Sequence, residues 1–200
     1  MKSLLRYLIE GLKTDVKKWL NNLYKSQQSL VKNNKLQQID VDVKQLNKPQ
    51  QPFLLEDFAS EPIVKQLIGN RLTGFTVVNQ MIRNPKQYIY DKTKEMKPEC
   101  MPYWYSNGNN IYFVGICIYD KSISYIDNYV NLIAIESSLI VSESAPLNVA
   151  ILNDFIKLIN KEGNYQGISV KPLHPKMKAL FMKLGFDVLK ENKEILTYKL

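Results

Sequence analysis

The sequence predicts a mixed α/β domain preceded by a basic amphipathic helix. Three observations carry the prediction. Strand-like and helix-like segments interleave from Gln38 to the C-terminus. A strong hairpin signal, Asn107-Gly108, sits between two aromatic-rich runs near the middle. The one long leucine stripe is confined to the start of the chain. With 200 residues and 45% apolar content, there is enough material to bury the core of one such domain and to add an extension.

The extension comes first. Leu4, Leu5, Leu8, Leu12, Val16, Trp19, Leu20 and Leu23 recur at spacings of three and four, one stripe on a helix over roughly residues 3–25, with lysines opposite. Residues 26–37 are polar and read as a linker or a frayed continuation. Residues 1–37 therefore form one unit and residues 38–200 the domain. In the domain, Ile39, Val41 and Val43 alternate with Asp40 and Asp42, which predicts a half-buried strand. Helical periodicity runs from Phe53 to Ile68, with Pro62 placed to break it, and residues 75–96 are helical in parts, interrupted near Pro85. Residues 101–119 read as the hairpin. Residues 129–141 supply another strand, and residues 146–161 a helix bearing Leu147, Ala150, Ile151, Phe155, Leu158 and Ile159. After Gly163 come a strand near 167–171, a helix over 175–184, and a last strand pair near 186–190 and 194–199. The order is β-α-α-β-β-β-α-β-α-β-β.

Composition removes several function classes. No apolar run approaches the ~20 residues of a membrane-spanning helix. Arg6, Glu10 and Lys13 interrupt the N-terminal apolar positions and no small-residue cleavage site follows, so a secretory signal is not expected. Cys100 and Cys117 stand alone beside a single His, which argues against a zinc cluster or disulfide framework, and so against a metal, and for a reducing, cytoplasmic setting. The formal charge of +8 is uneven: residues 1–50 hold ten Lys/Arg against four Asp/Glu, and residues 51–200 hold seventeen against fifteen. Such a basic segment suits nucleic acid, an anionic surface or an acidic partner, and equally a solvated helix face.

The most specific pattern is ISVKPLHPKMKALFMKLGF, residues 168–186. A β-branched run passes through a Pro-flanked turn into a short amphipathic helix that stops at Gly185-Phe186. Gly suits the left-handed position just past a helix end, where a Cβ costs energy. The segment resembles the last strand–helix–strand unit of the GNAT superfamily of N-acetyltransferases, often an Asn-led helix closing on a YxKLGF-type phrase. The element order matches the GNAT order across residues 38–200, about four-fifths of the chain. The resemblance implies a GNAT-like central sheet flanked by helices, in which the strand after residue 130 lies next to, and parallel with, the strand near 168.

It also implies where chemistry belongs. GNAT enzymes hold acetyl-coenzyme A where two neighbouring parallel strands splay apart. The pyrophosphate rests on N–H groups of a Gly-rich turn, usually Arg/Gln-x-x-Gly-x-Gly/Ala, that opens the next helix. The matching turn here lies within SSLIVSESAPLNVA, residues 137–150. It has no Gly, Arg or Lys; it carries Glu143, which repels a pyrophosphate, and Pro146 removes an N–H. The cofactor-binding candidates are Val141, Ser142, Ser144, Leu147 and Asn148, whose hydroxyls and N–H groups could form a weaker anion site. Alternatively, Ser144 caps the helix and Pro146 occupies its first turn.

Aligned on Lys183-Leu184-Gly185-Phe186, Phe181 falls where many family members carry the Tyr that protonates the departing thiolate, and Phe has no such proton. The Asn that often begins this helix aligns with His174, which either meets a ligand or is an ordinary turn residue. Some GNAT enzymes use a strand Glu as general base through water. Glu136 is that candidate, with a solvent-facing strand carboxylate as the alternative. The aromatics from Tyr88 to Tyr129 either line an acceptor or partner surface or fill strands. The expected protein is GNAT-like with a degenerate acetyl-CoA site, so that transfer is weak or absent. The alternative is an active N-acetyltransferase acting on an amine acceptor that the sequence does not identify.

MKSLLRYLIEG has a second resemblance, to the capsid-targeting peptides of internal head proteins of large tailed phages. Those peptides begin Met-Lys-Ser/Thr and reach an aliphatic-x-Glu phrase that the prohead protease cuts. Leu8-Ile9-Glu10 before Gly11 is the matching phrase. It implies a virion-associated protein whose residues 1–37 contact packaged nucleic acid nonspecifically or another virion protein. An amphipathic helix packed on the domain or on a partner is the other reading.

Overall fold

A computed structural model describes residues 38–61, 64, 75–83 and 97–200. The helix and linker expected over 1–37, the targeting-like phrase, Pro62, Pro85, Tyr88 and Tyr90 lie outside the described residues. The scaffold is an eight-stranded sheet: β1 (Leu46–Asn47), β2 (Phe53–Leu54), β3 (Glu99–Asn107), β4 (Asn110–Asp120), β5 (Tyr129–Ser137), β6 (Gly167–Val170), β7 (Asp187–Val188) and β8 (Leu196–Lys199). Among the described residues the α-helices include α1 (Leu55–Ser60), α2 (Thr76–Arg83), α3 (Ser144–Glu162) and α4 (Pro175–Lys183). The strand order is β1-β3-β4-β5-β6-β8-β7, with β2 also paired to β3. The β5–β6 pair is parallel, as expected, and the other pairs are antiparallel.

The expected hairpin closes at Asn107↔Asn110. Gly108 takes a φ of +58° at the first loop position, which a side chain would disfavour. β4 is buried along nearly its whole length because helices cover both faces of the sheet. Leu147, Ile151, Phe155 and Ile159 of α3, four residues apart, pack on one face with Phe181 and Phe186. Leu55 and Phe58 of α1, with Phe75 and Val78 at α2, pack on Phe113, Ile116 and Ile118 from the other. Each such side chain stabilises the fold by roughly 1.5–3 kcal/mol on burial.

α4 ends as its sequence predicts. Gly185, at φ +92°, donates to Met182 O at 3.2 Å, and Phe186 N donates to Phe181 O at 3.1 Å. The rings of Phe181 and Phe186 then meet at 5.1 Å, closing a Schellman motif with its apolar contact.

Two elements depart from expectation. Phe53 and Leu54, expected to open a helix, form the short strand β2 opposite Cys100 and Glu99. Ile39–Val43 does not form a strand, although its residues alternate. The Asp42 carboxylate accepts the N–H of Lys44 at 2.9 Å and turns the chain into a 3-10 turn, Val43–Gln45. Local side-chain bonding of this kind competes with a sheet ladder. Leu46 and Asn47 take the sheet edge instead, opposite Tyr105 and Trp104, and Ile39 keeps only a parallel bridge to Val141.

Candidate active site at the parting of two parallel strands

The β5–β6 ladder runs from Tyr129↔Gly167 to Leu132↔Val170 and stops there. Pro172 explains the stop on one side, because it has no N–H to give and the chain turns off toward α4. β5 instead continues its pairing with β4 as far as Ser137. The two strands therefore part around a cavity of about 130 Å³. Ile133, Ile135, Met177 and Phe181 give it apolar walls, Val77 of α2 reaches it from the side, and Glu136, Lys171 and His174 are its polar members.

Glu136 points at the N-terminus of α2. Its two carboxylate oxygens accept the N–H groups of Val77 and Val78 at 2.7 and 2.9 Å. A carboxylate there satisfies orphan donors and meets the positive end of the helix dipole. Burial raises its pKa; the hydrogen bonds from Val77, Val78 and Thr76 oppose the rise without cancelling it. The result is a half-buried strut between β5 and α2 at the cavity wall.

His174 is the N-cap of α4, its Nδ1 accepting the N–H of Lys176 at 3.2 Å. Phe181 is 3% exposed. Its aromatic edge stands in the cavity wall with no donor to offer.

The turn after β5 is differently built. The N–H of Ile140 donates to the Ser138 hydroxyl at 3.4 Å and that of Val141 to Ser138 O at 3.2 Å. The N–H of Ser142 donates to Ile39 O at 3.0 Å, and Ile39 N returns a bond of 2.6 Å to Ile140 O. The Ser142 hydroxyl donates to the Asp40 carboxylate. All three successive N–H groups are thus engaged within the protein. Two carboxylates, Asp40 and Glu143, stand beside them. Ser144 does not cap α3: the N-cap is Glu143, without a side-chain bond, and Ser144 is the first helical residue. The boundary falls one residue earlier than a Ser144 cap requires. Pro146 does occupy the first turn. Leu147 is in the core at 1% exposure, and the buried Asn148 Oδ1 has no hydrogen-bond partner among the described residues.

Glu136 and His174 are therefore brought together around one cavity, with Phe181. Val141, Ser142, Ser144, Leu147 and Asn148 are not among its lining residues. Asp40 was not visible as a site residue in the sequence, because its partner lies 102 positions away. The α2 amides that hold Glu136 were missed for the same reason. Cys100 and Cys117 are buried and desolvation pushes both thiols up, which leaves them unreactive. Among the described residues no group of three or more His, Cys, Asp or Glu could hold a metal, and no helix is long and apolar enough to cross a membrane.

No protein-family model and no curated protein matches the chain. Among solved structures, a crystal structure of AtaTR bound with AcCoA is similar over 78% of this chain and 94% of that one, with TM-score 0.52 and 14% identity. A KacTA–DNA complex matches over 64% of this chain and 81% of that one (TM-score 0.47, 18% identity). AtaT complexed with acetyl-methionyl-tRNAfMet matches over 80% and 88% (TM-score 0.44, 13% identity). The likeness to the first establishes the fold, a GNAT-like mixed α/β sheet flanked by helices.

Proposed function

We propose that this chain is a GNAT-fold protein whose acetyl-CoA site is degenerate, so that it acts by binding and transfers acetyl groups weakly or not at all. One observation carries the reading: the N–H and the hydroxyl of Ser142 are both spent on Ile39 and Asp40, in the turn where a diphosphate would need them. The fit of the cofactor divides in two. The parted strands, with apolar walls, suit the amide-bearing pantetheine arm, and the AcCoA-bound neighbour of similar fold supports a cleft of that type. The diphosphate fits poorly, because the N–H groups of Ile140, Val141 and Ser142 are engaged within the protein and Asp40 and Glu143 repel it. Of the candidate set, Val141 and Ser142 have their N–H groups engaged within the protein.

Two further features agree with weak transfer. Phe181 has no proton for a leaving thiolate. Glu136 is already occupied as a strut, so we assign it a positioning role rather than that of a base. Bound acetyl-CoA would supply a thioester to an amine; the acceptor does not follow from the fold.

Isothermal titration of the full chain with acetyl-CoA tests the reading. Binding weaker than micromolar is expected. Micromolar affinity, about −8 kcal/mol, would overturn it in favour of a working N-acetyltransferase with Glu136 or water as base.

The division into a basic 1–37 unit and a 38–200 domain belongs to the same proposal, as does a place for the protein inside a phage head. That role is motivated by the Met1–Gly11 phrase and by the basic first quarter of the chain. Mass spectrometry of the protein from its native source should find a mature N-terminus at Gly11. An intact Met1 with no particle association would remove the head-packaging role. DNA contact through residues 1–37 should fall steeply by ~200 mM salt.

A further inference from the structure

We infer that the N-terminal segment of this chain docks its leucine stripe over the mouth of the β5–β6 cleft, so that a ligand of the cleft must displace it. Two features carry the inference: an uncovered apolar mouth, and the point at which the chain enters the domain. Leu173 and Leu139 are 80% and 58% exposed, the two highest values for a large apolar side chain among the described residues. Leu139 follows the end of β5 and Leu173 the end of β6. Those strands are parallel, so both leucines stand at the same end of the sheet, where the strands part. Leu173 lines the cavity, and Ile133, Ile135 and Met177 continue its apolar surface inward. An exposed apolar lip leading into an apolar cavity is the kind of surface that a partner covers.

The path of the chain selects the occupant. Ile39 N donates to Ile140 O at 2.6 Å and Ser142 N donates to Ile39 O at 3.0 Å, so residues 1–37 join the domain beside Leu139. The linker expected over residues 26–37 reaches at most about 40 Å when extended, and its attachment already adjoins the mouth. The stripe from Leu4 to Leu23 is apolar along one side of the expected helix and needs an apolar face to bury it. Asp40 and Glu143 are exposed at the attachment, and their sign suits a segment rich in lysine. A tether this short holds the stripe at millimolar effective concentration, so at roughly 100 μM protein it meets its own cleft about tenfold more often than a second copy's.

Paramagnetic broadening of amide signals in the full chain tests this. A nitroxide is attached through Lys176→Cys, at an exposed position two residues from His174 of the cavity lining, while Cys100 and Cys117 are buried and stay unlabelled. At roughly 100 μM protein, amides within residues 3–25 should lose about half their intensity or more. The loss should disappear in Leu139→Asp/Leu173→Asp, which changes only exposed side chains and should leave the dispersed signals of the domain in place. It should persist in Leu139→Met/Leu173→Met, which keeps the mouth apolar. No broadening within 3–25 would overturn the inference, as would broadening that the Asp variant leaves unchanged. A mixture of isotope-labelled chain without nitroxide and unlabelled chain with it reports on a second copy. Broadening of 3–25 in that mixture, equal to that in the single sample, would assign the cleft to a neighbouring chain and overturn the inference too. No ligand enters the measurement, so its failure leaves the acetyl-CoA reading standing, and failure of that reading leaves the docking standing.

Discussion

The cleft between β5 and β6 and the turn that follows β5 are built from opposite chemistry, though they adjoin in sequence. In the cleft, main-chain edges stay unpaired with each other and apolar side chains keep a space open. In the turn, successive N–H groups from Ile140 to Ser142 are satisfied from within, two of them locally and one by Ile39. The difference teaches where each property resides. The cleft follows from the fold, because a proline after β6 and a continuing β4–β5 ladder part the strands whatever the ligand. An anion site follows from particular residues, since it needs free N–H groups and no nearby carboxylate. One can be lost while the other is kept.

The largest effect should come from breaking the cleft wall. Phe181→Ala should cost about 3–5 kcal/mol in urea unfolding, because the ring is 3% exposed and closes the Schellman turn on Phe186. A loss below ~1 kcal/mol would mean that the wall is not packed as described. Phe181→Tyr sharpens the comparison: it supplies the missing proton, yet acetyl transfer should stay weak because the diphosphate turn is unchanged.

Next in size is Gly167→Ala, at the foot of the cleft. A Cβ there would meet the Tyr129 ring and the carbonyl of Tyr198, which form the two sides of β6. A melting experiment should show about 1–3 kcal/mol of destabilisation. An unchanged Tm would place the foot of the parted strands elsewhere.

Glu136 is smaller and depends on pH. Glu136→Ala should cost roughly 1.5–3 kcal/mol, by leaving the α2 amides without their carboxylate. The folded pKa lies above the ordinary 4.5, chiefly from burial. The unfolded chain therefore loses this proton first as pH rises. This group's contribution to stability is full below 4.5 and falls as pH climbs through the raised folded value. The advantage of the native chain over Glu136→Gln should accordingly shrink from pH 4 to pH 7. An advantage that grows over that range would show a depressed pKa and a different environment.

The smallest effect is at the turn. Asp40→Ala removes an exposed hydrogen bond to Ser142 and should cost about 0.5–1 kcal/mol in stability. Acetyl-CoA affinity should rise, but by less than tenfold, because Glu143 and the missing glycines remain. A rise beyond that would make Asp40 alone the closure.

The parts of this molecule that were legible in its sequence are those carried by local patterning. The hairpin at Gly108, the helix stop at Gly185 and the amphipathic α3 each depend on residues within a turn or two of one another. The parallel β5–β6 pair came through the motif at 168–186. The strand expected at Ile39–Val43 was misread because Asp42 competes for the backbone, and alternation carries no sign of that. The helix begins at Ser144 itself, one residue earlier than a Ser144 cap requires, and the local sequence carries no sign of that. The missing glycines were visible directly, whereas the occupation of Ser142 by Asp40 became apparent only when the ends of a 102-residue separation met.

The most direct test of the central claim compares two ligands on the full chain by calorimetry, acetyl-CoA and S-acetylpantetheine. They share the arm that the cleft suits and differ by the nucleotide diphosphate that the turn would have to hold. The account predicts weak binding of both, with affinities within about threefold of each other, or ~0.7 kcal/mol. Micromolar binding of acetyl-CoA, at least tenfold tighter than S-acetylpantetheine, would contradict it, because only a working diphosphate site could supply that difference.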